Sequence, residues 1–184
     1  SYILKLKKNS LISKNVTNKK KTLAVRFPSH PLTRNLLKSL NYPLAAPSAN
    51  ISTKISPVSK KDVEDEFGKK IKLVLDGGQS KIGVESTIIS LINKPKVLRL
   101  GGIPREQIKK YLNSPLTYQK KSKIQTPGQG KTHYSPYIKL RMNIKKGKKN
   151  EAVILIKKRK KEDKNYFYLS KNNNLEEAAK NLYK

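Results

Sequence analysis

Ser86-Thr87-Ile88-Ile89-Ser90-Leu91-Ile92-Asn93-Lys94-Pro95-Lys96-Val97-Leu98-Arg99-Leu100 is the stretch that decides the fold class. Two apolar runs, 86–92 and 97–100, flank the break Asn93-Lys94-Pro95, so the segment reads as two strands on a hairpin-like hinge. Just beyond it, Pro104-Arg105-Glu106-Gln107 begins a helix that runs to Leu112. Upstream, Ile71 to Leu75 reads as a buried strand ending in the turn Asp76-Gly77-Gly78. Ser59-Lys60-Lys61-Asp62 resembles a capping box, and its helix should end near Gly68. Further out, Pro43 to Pro47 reads as a short buried strand followed by a polar loop through Ser56. Pro31 opens a helix with Leu32, Leu36, Leu37 and Leu40 at helical spacing. Lys21 to Phe27 is another strand, and Ser1 to Lys7 alternates as a strand does. Strands interleaved with helices make this an α/β chain.

Downstream, residues 113–149 lose all sustained apolar periodicity and read as a linker. It is long for a passive connector, and long irregular segments in compact proteins are often functional lids. Order returns at Ala152 to Ile156, in a strand at Tyr166 to Leu169 and in a helix from Leu175. The organisation expected is therefore a first domain over 1–112, a linker or lid over 113–149 and a partial second domain over 150–184. An opening strand with no start signal, and a second domain that stops after one helix, imply truncation at both ends.

The 184 residues carry 42 Lys and Arg against 12 Asp and Glu, a net charge of +30, with a mean hydropathy of -0.69. Apolar residues are nevertheless gathered into short runs, which argues for folding rather than disorder. No run approaches the roughly 18 apolar residues of a membrane span, and no signal peptide is apparent, so a soluble, cytoplasmic protein is expected. With no cysteine, disulfides and thiolate chemistry are excluded, and a metal would rest on oxygen ligands or on His30 and His133. The arginines are Arg26, Arg34, Arg99, Arg105, Arg141 and Arg159; the remaining basic residues are lysines spread along the chain. Such a charge is either a general lysine bias or a functional basic face, and in both cases draws anions such as ATP or RNA.

Several segments could carry chemistry. Pro47-Ser48-Ala49-Asn50 follows an apolar run, placing a hydroxyl and an amide where open α/β sheets bind ligands; the plain alternative is an Asn-containing turn. Asp76-Gly77-Gly78 is either an anion-binding nest or a tight turn. Glu85-Ser86-Thr87 sets three polar side chains where Gly83 meets an apolar strand, and they cannot all face the core. Arg26 and Arg99 each end a strand, suited to bidentate capture of carboxylate or phosphate, with a surface salt bridge as the alternative for each. Gly128-Gln129-Gly130-Lys131-Thr132-His133-Tyr134 stands out within the linker but lacks the spacing of a Walker loop.

In order, Thr22-Leu23-Ala24-Val25-Arg26, Leu44 to Asn50, Leu75 to Gly78, Val84 to Thr87, Leu98 to Ile103 and His133-Tyr134-Ser135-Pro136 make the chain similar to the threonylcarbamoyl-AMP synthases, YrdC-like enzymes with an added C-terminal domain. The resemblance implies a twisted open mixed sheet with a concave basic cleft, followed by the start of a small Rossmann-like α/β domain. It implies a cytoplasmic nucleotidyltransferase that condenses L-threonine, bicarbonate and ATP into threonylcarbamoyl-AMP and pyrophosphate. That product supplies tRNA threonylcarbamoyl-transfer proteins modifying adenosine 37. By similarity Arg26 and Ser86 would contact L-threonine, while Thr22, Ala46, Ser48, Asn50, Ser56, Arg99 and Tyr134 would line the ATP site. Mg²⁺ would accompany the nucleotide, and no covalent nucleophile is assigned. The family's upstream Lys-x-Arg element is not in this sequence, so the chain alone is expected to have little synthase activity. A second reading is a non-catalytic module that holds double-stranded RNA or tRNA in the same cleft; a lid bearing Tyr134 favours the enzyme. Carbamoyl-transfer maturation proteins fit less well, because their zinc-finger cysteines are absent.

Overall fold

The structure, a computed structural model, describes residues 1–118, 138–144, 146–158 and 164–183. The described chain divides into two compact units, residues 1–47 with 85–118 and residues 48–84 with 138–183.

The first unit is built on a five-stranded mixed sheet. Its elements are β1 (Tyr2–Lys5), α1 (Lys14–Thr17), β2 (Thr22–Val25), α2 (Pro31–Lys38), β3 (Ile88–Ser90), β4 (Lys96–Arg99), α4 (Arg105–Lys109) and β5 (Thr117–Tyr118), α3 belonging to the second unit. The spatial order is β2-β1-β3-β4-β5. The pairs β1–β2 and β3–β4 are antiparallel, whereas β1–β3 and β4–β5 are parallel.

The expected β3–β4 hairpin forms, with Asn93 at φ 61 taking the left-handed conformation its turn needs. Ile88 faces Arg99 and Ile89 faces Val97, so Leu98 is an extra residue on β4, and this bulge bends the strand just before Arg99. Ile89, Val97 and Leu116 form a buried cluster, and Ile108 and Leu112, on and just after α4, pack against it. Each such side chain is worth about 1.5–3 kcal/mol when fully buried. The first turn of α2 begins at Pro31, whose missing N–H costs a helix nothing there.

Two readings from sequence change. Residues 43–47 and 71–75 form no strand, and Leu44, Leu73 and Leu75 are 49%, 76% and 52% exposed. A strand needs a neighbour for its backbone groups, and neither run has a ladder partner among the described residues; Pro43 and Pro47 also lack a donor. Conversely, β5 lies in the stretch read as irregular, and it pairs with β4 through Lys96–Thr117 and Val97–Tyr118. Two residues are too short to announce themselves by alternation.

In the second unit, α3 (Lys60–Phe67) has the capping box in full. Ser59 Oγ accepts from the Asp62 N–H, while Asp62 Oδ2 accepts from the N–H groups of Val58 and Ser59, each at 2.9 Å. These bonds, that from Val58 foremost, hold the Asp62 carboxyl below its ordinary range. Gly68 at φ 53 ends the helix as expected. Parallel strands β6 (Val153–Lys157) and β7 (Tyr166–Ser170) pair, and α5 (Leu175–Asn181) packs on β7 with Ala178 buried. Asn174 caps α5 by accepting from the N–H groups of Glu176 and Glu177, and buried Ser170 donates to Glu177 at 2.6 Å. Gly83 lies against the α5 backbone, where a Cβ would meet the Lys180 Cα at 2.6 Å.

Arg141 grips the Glu151 carboxylate through two nitrogens, and the Lys148 N–H donates to it as well. The Arg141 bond first, then that from Lys148, lowers the Glu151 pKa from 4.5 to about 2. A depressed carboxyl pKa contributes stability that is present above the unfolded value and lost as pH falls toward the folded one. NMR titration of the Glu151 carboxyl should therefore find its midpoint well below an ordinary glutamate, and Arg141→Ala should return it to the ordinary range. A normal midpoint in the unsubstituted chain would contradict this geometry.

Candidate active site

Arg26 follows β2 directly and Arg99 ends β4, with β1 and β3 lying between those strands in the sheet. Both guanidinium groups reach Ser86, two residues before β3. Arg26 Nη2 donates to Ser86 Oγ at 3.0 Å and Arg99 Nη2 to the same oxygen at 3.3 Å. Arg99 also donates from Nη2 and Nε to the Ser86 carbonyl at 2.9 and 3.2 Å. The Ser1 hydroxyl lies 2.9 Å from Ser86 Oγ and accepts from Arg26 Nε at 3.3 Å.

Glu85 Oε2 stands 3.3 Å from Arg99 Nη2, and the two side chains are only 24% and 16% exposed. This is not a solvated surface pair, whose worth is about 0–1 kcal/mol; with water largely excluded, the carboxylate holds the arginine in one orientation. Arg26, Arg99 and Glu85 still sum to one net positive charge on a hydroxyl cluster. Such a cluster is complementary to a small anion bearing hydrogen-bond acceptors, above all a carboxylate.

The backbone beneath Ser86 is fixed by the turn after β4. Gly102 N–H donates to the Glu85 carbonyl at 2.9 Å; buried Thr87 donates Oγ1–H to the Ile103 carbonyl at 2.6 Å and accepts from the Ile103 N–H at 3.2 Å. A Cβ on Gly101 would meet the Glu85 carbonyl at 2.2 Å and the Thr87 nitrogen at 2.5 Å, so only glycine permits this approach. Sequence reading noticed Glu85 and Thr87 as polar residues that could not all face the core, but gave them no role; the doublet Gly101-Gly102 was the available signal. Ser1 carried none.

The other residues singled out from sequence fall as follows. Thr22 opens β2, half-buried and opposite Lys5, and Ala46 sits exposed in the loop after α2. Ser48, Asn50 and Ser56 belong to the second unit. There Asn50 behaves as a turn residue. Its Nδ2 donates to the carbonyls of Ile51 and Lys54, and Glu66 ties the same loop by accepting from the Ile51 N–H and from Lys54 Nζ. Asn50 Oδ1 is buried with no hydrogen-bond partner among the described residues. Asn50 and Ser56 line a pocket of about 330 Å³ together with Ile55, Asp62, Asp65, Glu66 and Tyr183. Two of its carboxylates are already paired, Asp65 with Lys61 and Glu66 with Lys54. Tyr134, His133 and most of the lid expected over 113–149 lie outside the described residues. Among the described residues no three His, Cys, Asp or Glu side chains gather as a metal site, and no helix is long and apolar enough to cross a membrane.

Comparison with known proteins agrees with this architecture. Residues 1–101 match the Sua5/YciO/YrdC family model, described as telomere recombination, and residues 103–184 match that of the threonylcarbamoyl-AMP synthase C-terminal domain. The threonylcarbamoyl-AMP synthase of Pyrococcus abyssi is 41% identical over 139 residues, which are 72% of this chain and 41% of that protein. The threonylcarbamoyl-AMP synthase of Schizosaccharomyces pombe is 42% identical over 143 residues, 72% of this chain and 35% of that protein. The crystal structure of P. abyssi Sua5 complexed with L-threonine superimposes with a TM-score of 0.80 at 32% identity, over 99% of this chain and 58% of that one. The chain thus spans well under two thirds of the relatives it matches, and it shares with that structure a mixed α/β fold on a twisted mixed sheet. By its sheet and by both matching segments, the chain belongs to the Sua5/YciO/YrdC family.

Proposed function

We propose that the Arg26–Ser86–Arg99 cluster is the L-threonine end of a threonylcarbamoyl-AMP synthase site. The observation that carries this reading is two guanidinium groups donating to one serine hydroxyl beside the Glu85 carboxylate. An amino-acid carboxylate entering there gains charge-assisted bonds from Arg26, the residue more open to solvent, while Arg99 stays braced by Glu85. The solved relative with L-threonine bound supports the choice of ligand.

In the proposed reaction, threonine nitrogen and bicarbonate form a carbamate with loss of water. A carbamate oxygen then attacks the α-phosphorus of ATP and expels pyrophosphate. Such a transfer needs positioned reactants and compensated charge more than a protein acid or base, which suits a cluster of Arg and Ser. Thr22, Ala46 and Arg99 are proposed as nucleotide contacts, as are Ser48, Asn50, Ser56 and Tyr134. Mg²⁺, if bound, would be held mainly by phosphate oxygens, which it neutralises as pyrophosphate leaves. The concave basic cleft, a Rossmann-like second domain, a cytoplasmic location and delivery of the product to tRNA-modifying transfer proteins belong to the same proposal.

Titration calorimetry with L-threonine tests it. Arg26→Ala should weaken binding about tenfold or more, the loss expected for a charge-assisted hydrogen bond of about 1.5–3 kcal/mol. Methyl-esterified threonine, which lacks the carboxylate charge, should bind the unsubstituted chain no better than Arg26→Ala binds threonine. Threonine affinity that ignores Arg26, or no binding at all, would remove the basis of the assignment.

The same site makes a stability prediction. Gly101→Ala should lower stability by about 2 kcal/mol or more, because the added methyl has only backbone to displace. Thermal unfolding measures this, and a melting temperature equal to that of the unsubstituted chain would show that the turn is not packed as described.

A further inference from the structure

Strand direction gathers two strand starts and two strand ends at one end of the first unit's sheet. β1 and β3 run parallel, so Ser1, just before β1, and Ser86, shortly before β3, lie at the same end. β2 runs antiparallel to β1 and β4 to β3, with Tyr2 opposite Val25 and Ile88 opposite Arg99. Arg26 and Arg99 therefore arrive at that end as their strands finish. The starts supply two hydroxyls and the ends two guanidinium groups. Ser1 is held there by its own backbone, whose nitrogen donates to the Thr87 carbonyl at 2.9 Å and whose carbonyl accepts from the Ile89 N–H at 3.0 Å, extending the β1–β3 pairing. Its side chain thus springs from a fixed point of the sheet.

Counting protons gives each hydroxyl a direction. A serine hydroxyl has one donor and two acceptor lone pairs, so the pair Ser1 and Ser86 offers two protons and four lone pairs in all. Ser86 Oγ already accepts from Arg26 Nη2 at 3.0 Å and from Arg99 Nη2 at 3.3 Å, which fills both of its lone pairs. Ser1 Oγ accepts from Arg26 Nε at 3.3 Å and has one lone pair open. The 2.9 Å contact between the two hydroxyls is therefore Ser86 donating to Ser1. Every lone pair is then occupied, and the Ser1 proton is left with no acceptor among the described residues. The arginines cannot take it, because a guanidinium has donors only. Whatever group meets this corner has to bring an acceptor.

We propose that Ser1 is a further ligand-binding residue of this site, its hydroxyl donating to a carboxylate oxygen of the bound amino acid beside Arg26. The inference rests on the L-threonine reading of the cluster and adds an orientation to it. A corner that offers only donors repels the amino acid's ammonium group, which has only donors itself. A side-chain hydroxyl could accept the Ser1 proton, but two guanidinium groups favour the charged oxygen. The contact should therefore read the carboxylate and ignore the side chain.

Titration calorimetry with L-threonine, L-serine and L-valine tests it, valine having the shape of threonine without its hydroxyl. Ser1→Ala should weaken all three by the same factor, about tenfold, as expected when a hydrogen bond to a charged group is removed. Ser1→Thr, which keeps a hydroxyl, should restore most of the affinity. Amide hydrogen exchange at residues 87–89 should be unchanged in Ser1→Ala, because the backbone bonds of residue 1 remain. A loss confined to threonine and serine would mean that Ser1 reads the side-chain hydroxyl, and would overturn the proposal. So would faster exchange at residues 87–89, since the loss would then come from a loosened strand. Unchanged affinity in Ser1→Ala, with Arg26→Ala still weakening threonine binding, would sink this inference alone. Threonine binding that is absent, or indifferent to Arg26, would sink the threonine reading and this inference together.

Discussion

The first unit depends on one close approach, that of Gly101 and Gly102 to the backbone of residues 85–87. With no side chain at Gly101, the turn after β4 can lie directly on the strand entry before β3. Thr87 then exchanges two hydrogen bonds with Ile103, and Glu85 accepts from Gly102. These bonds fix Ser86 between two chain segments rather than on a free loop. Without that fixity, two arginines could not share its hydroxyl, because each would gain more from water than from a moving partner.

Around this contact the electrostatics are graded. Arg99 is nearly enclosed and paired with the Glu85 carboxylate, so its orientation is settled before a ligand arrives. Arg26 is exposed and bonded only to hydroxyls among the contacts described above, so it can turn toward an incoming anion at small cost. Preorganisation on one side and an adaptable cation on the other would suit the small zwitterion proposed as ligand. In the second unit, the pocket lined by Asn50, Ser56 and Tyr183 carries carboxylates that are partly paired, Glu66 with Lys54 and Asp65 with Lys61.

What could be read from order along the chain was local. Pro31 fixed a helix start through its own φ, Ser59 and Asp62 a helix cap through bonds three residues apart, and Gly68 a helix end through its positive φ. Asn93 fixed the β3–β4 turn in the same way. The family resemblance rested on such short ordered segments, and both family matches agree with it.

The sequence by itself determined every helix but the single turn α1, together with the α3 cap and the β3–β4 hairpin, and singled out Arg26, Ser86 and Arg99, because those signals act within a few residues. Only the tertiary structure decided that the apolar runs at 43–47 and 71–75 would not become strands, since a strand exists only where another backbone accepts its hydrogen bonds. It also decided the parallel pairing of β1 with β3, the short strand β5 and the roles of Glu85, Thr87 and Gly101. Each of these is a contact between residues distant in order, and nothing in a residue's own type states which backbone will come to lie against it.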